Sequence, residues 1–297
     1  MGDIEGFDCV DFFILNEEDR APVFASFSHF VWQWYATHKR DFIWRETSDP
    51  YHILLSELML QQTQTERVIP KYTLFLNTWP TLNALCHASL TDVLYAWKGL
   101  GYNKRAKALH SIASLSEQYH YTLPPDESVL LSFPMIGPAT ASAIRSFAFG
   151  QKSIYLETNI RRVIIHHFFS TSEKVHDKEI REILMSLMEI QDDAKNWYYA
   201  LMDYGVNLKK IGINPNRRSS HYKKQSPFEN SHRQIRSTLL FIITTEGIQK
   251  ESDLIEKSSF EEERILYALQ SLQQDGFIHD VVKEGEVYYR ILETTSY

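Results

Sequence analysis

From residue 22 to about residue 205 apolar residues recur at helical spacing and strand alternation is nearly absent. Whatever this chain folds into must be built there by packing helices. Phe24, Phe27, Phe30, Val31 and Trp34 share one face of a first helix. "TSDPYHILLSELML" starts another, with Ser48 or Asp49 as its cap and Pro50 at its first position. Further helices are expected at about 63–77, 81–86, 89–97, 102–119 and 126–132. Pro70, Pro80, "GLGY" at 99–102 and the pair Pro124 and Pro125 punctuate them.

After residue 207 the periodicity stops, and "LKKIGINPNRRSSHYKKQSPFENS" reads as a basic linker over 208–231. Helices at about 232–246, 251–257 and 260–274 follow. Two alternating apolar runs then flank a Glu284-Gly285 turn, a hairpin signal. Three helices and a hairpin in that order describe a winged helix over 232–297. The chain is therefore mainly α with a small α+β C-terminal domain, and 297 residues hold two or three such domains.

Net charge is −7, which taken whole argues against a polyanion as partner. The charge is sorted along the chain, however. Residues 1–20, an acidic segment, carry seven acids and one base; residues 204–236 carry eight bases and one acid; residues 237–297 carry twelve acids and five bases. A nucleic acid responds to the local field. The basic stretch is either a solvated linker or a phosphate contact. Cys9 and Cys86 are the only cysteines, too few for a disulfide framework or a cysteine metal cluster. An acidic start and the lack of an apolar run of about eighteen residues speak against a signal peptide and a membrane span. The expected location is cytoplasmic, or nuclear in a eukaryote.

Three stretches carry candidate chemistry. In "LLSELMLQQTQT", Glu57 stands among Leu54, Leu55, Leu58, Met59 and Leu60, and at helical spacing Glu57, Gln61 and Gln64 form one polar stripe. Such a stripe faces water, a buried partner or a ligand. A carboxyl in an apolar setting is raised toward the protonated form, as a general acid requires. In "LLSFPMIGPATASAIRSFAFG", a turn with Pro134 and Gly137 leads into a helix near Pro138. Amides at a helix start can hold a phosphate, although such turns also occur as plain joints. In "IYLETNIRRVIIHHFF", Glu157, Thr158 or Asn159 can cap the next helix. Alternatively Glu157 is a second carboxylate that divides acid and base work with Glu57.

Taken in order, "DFIWRETSDPYHILLSELMLQQTQTERVIPKY", "LYAWKGLGYNKRAKALH", "FPMIGPATASAI" and "YLETNIRRVI" resemble the helix-hairpin-helix (HhH-GPD) DNA glycosylases, most closely the adenine glycosylase (MutY-type) branch. "ALMDYGV" at 200–206 fits as well, and the resemblance covers about residues 24–207. It implies a two-lobed fold: a helical-barrel lobe with the helix-hairpin-helix over 50–152, and a second helical lobe from 21–49 plus 153–207. Double-stranded DNA with a lesion or mismatch is the implied partner, its target base flipped out of the stack. Glu57 matches the family's acid and water activator, Glu157 the carboxylate that stabilises the oxocarbenium-like sugar, and Asn159 a polar site residue beside it. Gln61, Gln62 and Tyr102 match positions that fill the duplex beside the extruded base. Met135, Ile136 and Gly137 match the phosphate-holding hairpin.

Several residues depart from that pattern. Glu157 stands where the family has aspartate, and Met135 replaces the hairpin's first glycine, so that turn must be strained or altered if a glycine conformation is needed there. Ala139 stands where lyase-active relatives carry a lysine nucleophile, so no Schiff base can form at this position. The four-cysteine iron-sulfur loop has no ligands in "LKKIGINPNRRSSHYKKQ". Lys209, Lys210, Arg217 and Arg218 stand in its place as DNA contacts. No cofactor is expected, apart from a structural cation that the hairpin could hold. The implied protein is a monomeric glycosylase without lyase activity that excises adenine opposite oxidised guanine. Damaged or deaminated pyrimidines (uracil or oxidised cytosine) are the alternative substrates, and a non-catalytic lesion-binding protein is the alternative class. The C-terminal domain is open to a protein partner.

Overall fold

The structure, a computed structural model, describes residues 6–220 and 227–293. Lys223 and Lys224 of the basic stretch lie outside the described residues. In chain order the helices are α1 (Glu17–His38), α2 (Pro50–Leu60), α3 (Thr65–Thr78), α4 (Leu82–Cys86), α5 (Leu90–Trp97), α6 (Lys104–Leu115), α7 (Glu127–Ser132) and α8 (Pro138–Phe149). They continue with α9 (Thr158–Phe168), α10 (Asp177–Glu189), α11 (Ala194–Lys210) and α12 (His232–Glu246). Then come β1 (Gln249–Lys250), α13 (Glu251–Ser258), α14 (Glu262–Gln274), β2 (Ile278–Lys283) and β3 (Glu286–Ile291).

Two compact units result. The first is Met1–Ile53, Pro125–Leu131 and Ile136–Lys224; the second is Leu54–Pro124, Ser132–Met135 and Gln225–Tyr297. The division differs from the one read off the sequence: α7 up to Leu131 and α8 belong with the first unit, and the C-terminal domain belongs with the barrel-lobe helices of the second.

The first unit packs α1 against α9 and α11 through aromatic side chains. Phe27 lies edge-on to Phe168 and Trp197, and Trp34 edge-on to Tyr204. At α2 the cap is the one the sequence implies, with Asp49 Oδ1 accepting from the Tyr51 and His52 amides, and at α11 Asp193 Oδ1 accepts from the Asn196 amide. Residues 10–12 of the acidic N-terminal segment are tied in, since Asp11 bridges to Phe169 and the Val10 and Phe12 amides donate to the carbonyls of His167 and Phe168. Residues 208–220 are likewise docked and do not form a free linker. The helix α11 runs on to Lys210, Asn216 Nδ2 donates to the Thr158 carbonyl, and Val175 bridges to Ser219. The polar side chains of this stretch reach backbone groups of α9 and its neighbours, which composition alone cannot indicate.

The second unit buries Trp97, Phe75, Leu109 and Ile112 from α3, α5 and α6. Thr81 and Ser89 cap α4 and α5. Its C-terminal part has winged-helix order, with a three-stranded antiparallel sheet β1-β3-β2 and a tight turn at Glu284 (φ 52°) and Gly285 (φ 79°). The two-residue strand β1, paired Gln249 to Tyr289, escaped the sequence reading because it is too short to show alternation. The domain is fastened to α5 and α6. Glu293 accepts from the Leu90 and Thr91 amides, and Lys107 Nζ donates to the carbonyls of Asp275 (2.5 Å) and Gly276 (2.7 Å).

Candidate active site and nucleic-acid face

Glu57 is half-buried on α2, while its neighbours Leu54, Leu55, Leu58 and Met59 are fully buried. The polar stripe expected from helical spacing does not continue past it. The helix stops at Leu60, Gln62 turns to φ 56°, and Gln64 is already the residue before α3. The cause is Arg105, which is 1% exposed. Its Nη1 donates to the carbonyls of Leu58 (2.8 Å), Met59 (2.9 Å) and Gln61 (2.7 Å), and its Nη2 to those of Leu100 (2.9 Å) and Gly101 (2.7 Å) and to Thr63 Oγ1 (3.1 Å). A helix leaves its last carbonyls without intrahelical donors, and one buried guanidinium supplies them here. Burial pushes the Arg105 pKa down to about 10, still well above neutrality. The same fork holds the "QQTQ" turn and the "GLGY" loop in fixed shape.

Tyr102 closes that loop in the left-handed region, φ 49°. Arg233 of α12 donates Nη1 to the Tyr102 hydroxyl at 2.6 Å, and its guanidinium lies 5.2 Å from the ring centroid. Gln62, Tyr102 and Met135 line one cavity of about 870 Å³ in the second unit. Six basic side chains, Arg67, Lys98, Lys104, Arg105, Arg233 and Arg236, stand against a single acid, Asp275, in its wall. The net −7 of residues 237–297 is therefore not what this face presents. By contrast α14, which would be the reading helix of a DNA-binding winged helix, starts with exposed Glu261, Glu262 and Glu263.

In the first unit Glu157 is the N-cap of α9. Its Oε1 accepts from the amides of Asn159 (2.7 Å) and Ile160 (3.0 Å), and its Oε2 from Asn159 Nδ2 (3.2 Å). The capping reading is thus realised. Asn159 Oδ1 accepts in turn from Arg162 Nη1 (2.6 Å), which also donates to the Gly205 carbonyl (2.8 Å). Burial raises the Glu157 carboxyl above its usual value, opposed by the two amide bonds and by the charges of Arg162 and Arg161. Gly205 is required at this place: a Cβ there would lie 2.4 Å from the Asn159 carbonyl oxygen. Asp203, two residues earlier in α11, is buried and accepts from Arg40 N and Nε and from both terminal nitrogens of Arg45.

The hairpin settles the question raised by Met135. That residue adopts φ 59°, whereas Gly137 is extended at φ −90° and caps α8. The turn keeps the glycine-like conformation with a methionine in it, so it is strained and not altered. Ile136 is buried, and Ala139 is half-buried in the first turn of α8. Lys209, Lys210 and Arg217 are exposed. Arg218 is spent internally, donating to the carbonyls of Phe169, Ser172 and Ile165 at the end of α9.

Residues 55–189 match the HhH-GPD superfamily of base excision DNA repair proteins. Over 269 residues the chain is 30% identical to the adenine DNA glycosylase of Mycolicibacterium smegmatis, an alignment covering 82% of this chain and 90% of that one. The chain belongs to the HhH-GPD superfamily. It is also 36% identical over 180 residues to the adenine DNA glycosylase of Mycobacterium tuberculosis, where it spans only 59% of the relative's length. A solved thermostable thymine-DNA glycosylase superposes with a TM-score of 0.56 at 22% identity, over 69% of this chain and 97% of that one, which establishes the shared fold.

The HhH-GPD match contains Glu57, Gln61, Gln62, Tyr102, the hairpin, Glu157 and Asn159, and ends before Lys209 and α12. Arg105 and Arg162 escaped the sequence reading, and Arg233 entered it only as one of the bases of residues 204–236, without its contact to Tyr102. Nothing in spacing distinguishes a buried arginine that collects carbonyls from a solvated one on a helix face.

Proposed function

We propose that this chain is a monofunctional DNA glycosylase that hydrolyses the N-glycosidic bond of a flipped base, with adenine opposite oxidised guanine as its substrate. The observation that carries the reading is the cap at α9: a carboxylate fixed by two amides and Asn159 is preorganised to face a positive charge developing on a sugar. The names of the curated relatives support adenine as the base. Glu57 protonates the departing base and then takes the proton of the attacking water. Glu157, ionised, stabilises the oxocarbenium-like sugar. Asn159 holds Glu157 in place, and Arg162 holds Asn159.

The cavity bounded by Gln62, Tyr102 and Met135 is the DNA-facing part of the second unit, and α12 contributes Arg233 and Arg236 to it. Lys209, Lys210 and Arg217 are exposed enough to meet phosphates as well. With alanine at 139 there is no amine to form a Schiff base at that position, so excision leaves an intact abasic strand. The repair protein works as a monomer, without a cluster, and its C-terminal domain is available to a protein partner.

Incubation with duplexes that each contain one mispair or lesion, followed by alkali, tests this. Alkali-labile sites are expected on adenine opposite 8-oxoguanine, none without alkali, and a large rate loss in Glu57→Gln. Cleavage only at uracil or oxidised cytosine would move the substrate to pyrimidines. Lesion binding without excision, unchanged in Glu57→Gln, would make the chain a non-catalytic binding protein.

A further inference from the structure

The first unit holds a cluster that base excision does not use. Cys9 Sγ lies 3.8 Å from His166 Nε2 and 4.0 Å from His167 Nδ1, and the three ligand atoms fall within 4.8 Å of one another. Among the described residues it is the only group of three or more His, Cys, Asp or Glu side chains so placed. A tetrahedral ion with bonds of about 2.0–2.3 Å to nitrogen and sulfur separates its ligand atoms by roughly 3.3–3.6 Å. The two distances to sulfur therefore need to close by only a few tenths of an ångström, and the two imidazole nitrogens, within 4.8 Å of each other, by no more than about 1.5 Å.

The backbone holds the three ligands in place without a metal. Donation from Val10 N to the His167 carbonyl (2.8 Å), from Phe12 N to that of Phe168 (2.9 Å) and from Ser170 N to that of Val10 (3.3 Å) fixes Cys9 against the last turn of α9. His167 is buried, and its Nε2 lies 2.9 Å from the Tyr204 hydroxyl. When Nε2 carries the proton and donates to that oxygen, Nδ1 turns its lone pair toward Cys9. An outer hydrogen-bond partner of this kind orients most metal-ligating histidines. His166 is half-buried and Cys9 exposed, so a fourth position is open to water. The end of a helix also favours a cation electrostatically. Arg218 lies close by and opposes a cation, while Asp8 offsets it.

We infer that Cys9, His166 and His167 form a binding site for a borderline-soft divalent cation of the zinc class. One thiolate and two imidazoles select zinc or cobalt over magnesium and calcium, which take oxygen ligands. The ion fastens residues 8–12 to α9, the helix whose other end is capped by Glu157.

The test uses the full untagged chain, stripped with a chelator and titrated with cobalt(II) sulfate and then zinc sulfate. One equivalent is expected to bind, with a thiolate-to-cobalt charge-transfer band that zinc abolishes. Zinc should also shield Cys9 from a thiol reagent, with buried Cys86 as a silent control. Cys9→Ala should abolish the band, and both Cys9→Ala and His166→Ala should weaken binding by more than the ~10–100-fold that loss of an outer-shell partner costs. Both positions are solvent-accessible, so these variants are expected to melt like the metal-free parent. Failure of the parent to bind one equivalent, or equal binding by parent and both variants, overturns the site.

Discussion

Replacing Arg105 by methionine keeps the side chain's length and removes every donor. Five backbone carbonyls lose a donor, those of Leu58, Met59, Gln61, Leu100 and Gly101; Gly101 keeps Trp97 Nε1, and the single Thr63 hydroxyl proton can serve only one of Gln61 and Leu100. That leaves three acceptors without a donor, and Leu58 and Met59 are 0% exposed, where water cannot substitute. At about 1–3 kcal/mol for each buried unsatisfied acceptor, the gross cost is about 3–9 kcal/mol. Methionine also removes a penalty. Burial holds the Arg105 pKa down from 12.5 to about 10, and at ~1.4 kcal/mol per pKa unit this returns ~3 kcal/mol. The net destabilisation expected is about 3 kcal/mol, read by urea unfolding as a lower midpoint at unchanged slope, or by melting as a drop of roughly 6–12 °C. Arg105→Lys should fall between, because one ammonium cannot span the two loops that the guanidinium fork reaches. Excision should be lost in both variants even where they remain folded, since Gln62 and Tyr102 depend on those loops. A change below ~1 kcal/mol in the methionine variant would show that the carbonyls find other donors and refute the reasoning.

Glu157→Gln preserves an acceptor for the α9 amides but not the charge, so stability should hold while single-turnover excision falls about 10²–10³-fold; Glu157→Ala should lose about 1–2 kcal/mol of stability besides. Full activity in the glutamine variant would reduce Glu157 to a cap. The raised Glu157 pKa means that the folded state takes up this proton before the unfolded chain does. Its contribution to stability is complete below the ordinary carboxylate pKa and is lost as pH rises through the raised value. Activity runs the other way, falling as pH drops through that value, and parallel titrations should show both slopes vanish in Glu157→Gln. Asp203→Asn breaks the pairing with Arg40 and Arg45; because Arg40 is 34% exposed, the cost should be about 2–3 kcal/mol by denaturant titration, below the ~3–5 kcal/mol of a fully buried pair. Met135→Gly should gain about 1 kcal/mol in the same measurement by relieving a left-handed methionine, and a loss would mean that the side chain packs usefully. Arg233→Ala should flatten the salt dependence of duplex binding by about one unit of slope if that arginine meets a phosphate, and an unchanged slope would confine it to holding Tyr102.

The helices were legible because their faces and caps are local. Asp49 with Pro50, Gly137 with Pro138 and the Glu284-Gly285 turn each carry their geometry in two adjacent residues. Glu157 was legible as a cap for the same reason, and as a candidate catalytic group only through the motif around it. The stripe from Glu57 to Gln64 misled because helical spacing was carried across a helix end. What ends α2 is Arg105, more than forty residues away, and no local pattern announces such a partner. The basic linker misled in a related way: Asn216 and Arg218 look solvated by composition, yet they satisfy carbonyls of α9 and the turn after it.

Charge shows most sharply what a linear reading can and cannot carry. Counted along the chain, residues 237–297 are acidic, whereas Arg233 and Arg236 of the same domain fall in the basic count of residues 204–236. In space that domain's first helix brings Arg233 and Arg236 to the wall shared with Lys98, Lys104 and Arg105, while the acids of α14 lie at its exposed start. Field strength at a phosphate depends on charges within about one Debye length, near 8–10 Å. A segment total has no bearing on that quantity. The α12 face can therefore serve DNA while the rest of the domain repels it, and this polarity would hold a duplex to the α12 side, where Arg233 meets Tyr102 of the loop before α6.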